Sequence, residues 1–145
     1  MESPASALLL AHAASTLMMT GLIWFVQLVH YPLFPYAEGE RFTAFAADHS
    51  QRTSWVVIPL MLTELATATL LLTSPAGGTL AWVGWGLLVS IWLSTFFVQV
   101  PCHQRLGQGF DPHVARRLVL TNWWRTLAWT ARAGVALWLL SAFAL

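Results

Sequence analysis

Residues 7–29, 54–73, 79–101 and 127–145 form four apolar stretches whose only carboxylate or guanidinium groups are Glu64 and Arg132. A helix needs about 20 predominantly apolar residues to cross the hydrocarbon of a bilayer, and each stretch approaches or exceeds that length. Inside lipid the backbone must satisfy its own amides, and a helix does so within one segment. The expected fold is therefore all-α, a four-helix transmembrane bundle. Charged residues make up 9% of the chain and hydrophobic residues 57%. A typical soluble domain carries about 25% charged residues, so this chain has too little charge to coat a water-facing surface. Four spans leave no room for a second domain, and residues 1–145 read as a single integral membrane domain. The first stretch lacks the basic start and the small-residue cleavage site of a secretory signal, and is expected to remain as a helix. A formal net charge of +1 argues against nucleic acid as a partner. Cys102 stands alone and forms no internal disulfide.

A second pattern divides the chain in two. His30, His49, Arg52 and Thr53 recur 73 residues later as His103, Asn122, Arg125 and Thr126, and Glu38 and Asp111 share the same offset. The chain thus reads as two tandem helix–loop–helix repeats, approximately 1–73 and 74–145, of parallel topology. The connections carry helical signals of their own. In 36–48, Phe42 and Phe45 are three apart with Glu38, Glu40, Arg41 and Asp48 on other faces, the pattern of a short interfacial helix. Asp111 followed by Pro112 opens a second one over 113–120, as an N-cap with proline at the first helical position.

There are seven arginines and no lysine. Arg41 and Arg52 border the first connection, and Arg105, Arg116, Arg117 and Arg125 border the third. Basic residues favour cytoplasmic loops, so both long connections are expected inside and both termini outside. Trp55, Trp82, Trp85, Trp123 and Trp124 fall near span ends, where indoles prefer the headgroup level.

The polar side chains of the spans lie in stripes. Gln27 and His30 share one helix face, and so do Gln99 and His103. His49 and Arg52 share another, and Asn122, Arg125, Trp129 and Arg132 form a continuous line. Lipid offers them no partners, so they are expected to point inward. This predicts a pocket at cytoplasmic depth lined by those glutamines, histidines and arginines together with Asn122. Deeper in the membrane, Glu64 and Arg132 each call for a partner, since a lone charge there costs at least about 2.5 kcal/mol. Their depths along the helices differ by roughly 8 Å, within arginine reach. An ion pair between them is expected, supported by Thr63 and Thr67. Gly84 and Gly86 flank Trp85 and would allow close helix contact.

Three imidazoles at one depth suit a transition metal such as iron, copper or zinc, with His30, His49 and His103 as ligands. Two of them on facing helices suit axial ligation of a b-type haem, with Arg52 and Arg125 on its propionates and Gln27, Gln99 and Asn122 nearby. An organic ligand such as a quinone fits the same pocket. The plainer alternative is that these groups snorkel to the headgroups and bond helix-end carbonyls. His12, alone at the opposite end, reads as a packed residue, and Cys102 points about 100° away from His103. The leading functional expectation is a metal- or haem-binding membrane protein with a redox role. The competing ones are a non-catalytic subunit of a larger respiratory or photosynthetic membrane complex, and a small transporter acting as a homo-oligomer.

The strings QLVHYPLF, DHSQRT, QVPCHQRL and NWWRT resemble those of a family of small bacterial four-helix integral membrane proteins, with the likeness running from Gly21 to Arg132. That resemblance implies a bacterial inner membrane as the location and carries no activity. In helix number and the presence of a membrane histidine the chain is also similar to the small bacterial protoporphyrinogen oxidases, a likeness of architecture alone.

Overall fold

In the computed structural model, which describes residues 4–37, 39 and 41–143, the chain is helical almost throughout. The first rod runs through α1 (Pro4–Phe25), a π turn (Val26–His30) and a 3-10 segment (Tyr31–Tyr36). The second is α2 (Arg41–Leu72). The third joins α3 (Thr79–Ser94), a second π turn (Thr95–Gln99) and α4 (Val100–Leu106). The fourth is α5 (Pro112–Phe143). All four rods are long and apolar enough to cross a membrane. The first rod packs along both α2 and α5, α3 packs along α5, and α2 meets the third rod more sparsely.

The two interfacial helices expected over 36–48 and 113–120 do not exist as separate elements. Residues 41–48 are the first turns of α2, and 113–120 are the first turns of α5. Nothing in either stretch breaks a helix, so hydrogen bonding continues into the span. Each of these helices has 32 residues, or about 48 Å at 1.5 Å per residue, against a hydrocarbon thickness of about 30 Å. Each is therefore longer than such a layer is thick. The start of α5 is capped as its sequence indicates, with Asp111 Oδ1 accepting from the backbone N–H of His113 at 2.8 Å and of Val114 at 3.3 Å.

Both π turns precede a proline. Proline lacks an N–H and its ring collides with the carbonyl four residues back. Ahead of Pro32, the N–H of Tyr31 bonds Val26 five residues back; ahead of Pro101, the N–H of Val100 bonds Thr95 in the same way. The extra residue in each turn widens the helix and rotates the segment beyond it. At the opposite end, Gly77 and Gly78 make the tight turn between α2 and α3. A Cβ on Gly77 would lie 2.7 Å from the Leu71 carbonyl oxygen, and Gly78 has φ +115°, which side-chain-bearing residues rarely adopt.

The interior alternates apolar and polar layers. Leu9, Leu71, Ala76 and Leu139 fill the turn end; Met19, Ile23, Met61, Ile91 and Trp129 fill the middle; Tyr31, Phe34, Phe42, Leu106 and Leu118 fill the other end. Between the first two layers lie His12, Glu64, Thr67 and Arg132, and between the last two lie Gln27, Gln99, Asn122 and Arg125, all buried. Outward faces are apolar, with Trp55, Trp82, Trp124 and Phe97 exposed. That is the inverse of a water-soluble bundle, and it fits a lipid surround.

Candidate functional site

The histidines His30, His49 and His103 come together at the end of the bundle away from the Gly77–Gly78 turn. His30 closes the first π turn and His103 sits in α4 just beyond the second, so the two widened turns aim both rings toward α2. The ring centroids of His30 and His49 are 4.1 Å apart, and those of His49 and His103 are 5.6 Å apart. Phe34 meets His30 edge-on at 5.3 Å. His49 Nδ1 lies 3.1 Å from the Thr53 hydroxyl, and His103 Nε2 lies 3.0 Å from the Tyr31 hydroxyl.

Proximity does not make these rings a metal centre. Among the described residues, no group of three or more His, Cys, Asp or Glu side chains is arranged to hold a metal ion. The His30 and His49 rings approach to 4.1 Å with their planes tilted by 32°. One nitrogen on each of His49 and His103 already faces a hydroxyl. Cys102 is buried in the apolar cluster with Leu106 and Leu118.

Behind the histidines runs a rail of amides. Gln27 Nε2 donates to the Val119 carbonyl at 3.2 Å, Asn122 Nδ2 donates to Gln27 Oε1 at 2.8 Å, and Arg125 Nη1 donates to Asn122 Oδ1 at 3.1 Å. Arg125 also lies 5.1 Å over the Trp129 ring, and the Tyr31 hydroxyl is close to its guanidinium. Gln27 and Asn122 thus hold Arg125 in place and do not face a ligand themselves. Arg52, expected as the matching clamp, is elsewhere: its side chain is 78% exposed and lies 3.9 Å from Asp48. The reason is its helix. Arg52 lies on a face of α2 that nothing covers, whereas α5 runs through the centre of the contacts and buries Arg125 to 6% exposure.

A cleft of about 400 Å³ opens in front of this arrangement. α1 and α5 lie behind it, and α2 and the third rod form its walls. Met19, Leu22, Ile23, Val26 and Val57 give it an apolar inner surface. Tyr31, His49, Gln99, His103 and Arg125 gather polar groups along it. The exposed lining residues Ala47, Val100 and Gln104 mark its mouth, between α2 and α4. Gln99 donates through Nε2 to the Thr121 hydroxyl at 3.0 Å. Its Oε1 and Arg125 Nε are buried with no hydrogen-bond partner. His30 supports the His49 ring from behind and is not part of the lining.

Deeper in the bundle, Arg132 Nη2 lies 3.2 Å from Glu64 Oε1, with both side chains buried to 1% or less. Thr63 and Thr67 do not support this pair; their hydroxyls donate to the Pro59 and Thr63 carbonyls. The second Glu64 oxygen accepts from Trp129 Nε1 at 2.9 Å, and Arg132 Nη1 donates to the Gly84 carbonyl. A Cβ on Gly84 would meet Val135 at 3.4 Å and the guanidinium at 4.0 Å, ordinary contact distances that leave no space for a larger side chain. Gly86, by contrast, faces open space. His12 Nδ1 lies 3.0 Å from the Thr67 hydroxyl, whose proton is spent on Thr63, so the imidazole is the donor. Tyr31 is thus the site partner that spacing did not single out, while Trp129 was placed inward but not matched to Glu64 or Arg125. Trp129 lay on the named stripe, one turn from Arg125, and Tyr31 adjoins His30. An indole or phenol beside a polar stripe was the available signal.

No family model, curated protein or solved structure matches the chain. Any functional reading rests on the site itself.

Proposed function

We propose that this is a small multi-pass membrane protein that takes an amphipathic, lipid-soluble ligand into the cleft between α2 and α4. The observation that carries this reading is the cleft itself: about 400 Å³, apolar on its inner surface, with Tyr31, His49, Gln99, His103 and Arg125 converging on it. Binding sites for small amphiphiles share this composition, an apolar body with a few placed polar groups that orient the ligand. The mouth lies between the two rods that pack most sparsely, and Val100 at its edge is exposed. In a bilayer Val100 sets the inner edge of that mouth toward lipid while Ala47 and Gln104 sit at headgroup depth, so a membrane-dissolved amphiphile enters from the interface. Arg41, Arg52, Arg105, Arg116 and Arg117 cluster at the same end, and the positive-inside tendency supports a cytoplasmic position for the site.

Native mass spectrometry of protein purified in a nonionic detergent tests this. The wild type is expected to retain a small-molecule adduct that organic extraction releases. Ala47→Trp and Ser50→Trp fill the cleft from α2 and should remove the adduct while leaving the helical circular dichroism unchanged. An adduct equally abundant in both variants, or absent from the wild type, refutes the assignment.

A further inference from the structure

The charge balance of the cleft identifies the head of the ligand. Arg125 is 6% exposed, lines the cleft, and has its Nε buried without a partner. Its other contacts are neutral: the Asn122 amide, the Trp129 ring and the Tyr31 hydroxyl. The other polar groups along the cleft, among them His49, His103, Gln99 and Thr53, bring no carboxylate. Among the described residues only two ion pairs form, Arg52 with Asp48 and Arg132 with Glu64. Glu64 is spent on Arg132 and Trp129, and Asp111 caps α5. A guanidinium keeps its charge in a protein. Burying one without an anion is strongly unfavourable, which is why intramembrane arginines are found paired. Arg132, one layer deeper on the same helix, has its carboxylate; Arg125 has a cavity.

From this we infer that the cleft binds an amphiphile with an oxyanion head, carboxylate or phosphate, and that Arg125 is its counter-ion. The inference rests on the cleft being a ligand site, and it adds the chemical class. The Gln27–Asn122 rail then acquires a purpose. It fixes Nη1 from behind and holds the guanidinium at the cleft wall, where its planar donor set suits a carboxylate or phosphate. The apolar inner surface from Met19 to Val57 takes the tail. Two sources supply such a head, a free fatty acid or the phosphate of a membrane lipid.

The test compares four probes of one chain length, dodecanoate, dodecyl phosphate, dodecanol and dodecyltrimethylammonium, titrated into the full-length protein in nonionic detergent and counted by native mass spectrometry. A charged hydrogen bond of this kind corresponds to roughly ten- to hundred-fold in affinity. Dodecanoate or dodecyl phosphate should therefore bind at least about ten-fold more tightly than dodecanol, and whichever is stronger separates the carboxylate source from the phosphate source. Arg125→Gln should erase the preference while dodecanol binding persists, and Arg125→Lys should keep part of it. Arg52→Gln, on the exposed face, should leave the series unchanged. If Arg125→Gln does not fold, the wild-type series with Arg125→Lys still decides. Equal binding of dodecanol and the two anions, or a preference for the ammonium probe, overturns the oxyanion head while the cleft survives. Failure of all four probes to compete with Ser50→Trp-sensitive adducts also overturns it, and binding of all four that is indifferent to Ser50→Trp overturns the cleft reading instead.

Discussion

Breaking the Glu64–Arg132 pair from one side should destabilise the bundle far more than removing both partners. The carboxylate and guanidinium lie 3.2 Å apart at 1% exposure or less. Removing one member of such a buried pair costs roughly 3 to 5 kcal/mol, because the other is left uncompensated in a low-dielectric interior. Arg132→Met and Glu64→Met should each fall in that range. The double variant removes both charges and replaces them with side chains of similar length. What remains is Trp129 Nε1, which loses its acceptor, at a cost of about 1 to 3 kcal/mol for one orphaned buried donor. The Gly84 carbonyl loses its extra donor but is a helix carbonyl with a second claim on it. The two single effects would add to roughly 6 to 10 kcal/mol if independent, so the double variant should be several kcal/mol more stable than additivity allows. Equilibrium unfolding in mixed dodecyl maltoside and dodecyl sulfate micelles, followed by tryptophan fluorescence, measures all four corners of this cycle. Strict additivity, or single effects below about 1 kcal/mol, would falsify the claim that the pair is formed and dry.

The same packing sets the cost of two further pairs of substitutions. Asn122→Ala leaves Gln27 Oε1 and Arg125 Nη1 without partners and should cost about 2 kcal/mol or more in the same unfolding assay. Arg52→Ala, although it matches Arg125 at an offset of 73 residues, should stay within about 0.5 kcal/mol because its side chain is 78% exposed. Equal costs for the two would contradict the rail. Gly84→Leu should destabilise by about 1 to 3 kcal/mol through overpacking against Val135 and Arg132, whereas Gly86→Ala, facing open space, should be neutral or stabilising by up to about 1 kcal/mol from helix propensity. The reverse order would place the close helix contact on the wrong glycine.

Much of the site is legible in the order of residues alone. His30, His49 and His103 do approach one another, and the stripe Asn122, Arg125, Trp129, Arg132 is buried along its whole length. Periodicity and the intolerance of hydrocarbon for lone polar groups suffice to say which side chains turn inward. Arg52 shows where that reasoning stops. It shares the offset, neighbours and residue type of Arg125, yet it is exposed, because inwardness depends on whether another helix covers that face. The threonines near Glu64 show the same limit. They are close in sequence, but their hydroxyls fold back on their own helix, while the carboxylate finds an indole from α5.

Composition and apolar segment length alone determined that this chain forms four helices suited to lipid, because a backbone in hydrocarbon has no other solvent to bond. They also determined that Glu64 needed a cation. Tertiary structure decided the partners and the open space. The approach of His30 to His49, the amide rail behind Arg125 and the cleft in front of it arise from how two π turns rotate their rods and from the sparse contact between α2 and α4. Pro32 and Pro101 give the π turns a local cause, but which side chains those rotations bring together is set by interlocking across helices far apart in sequence, and no local pattern encodes that.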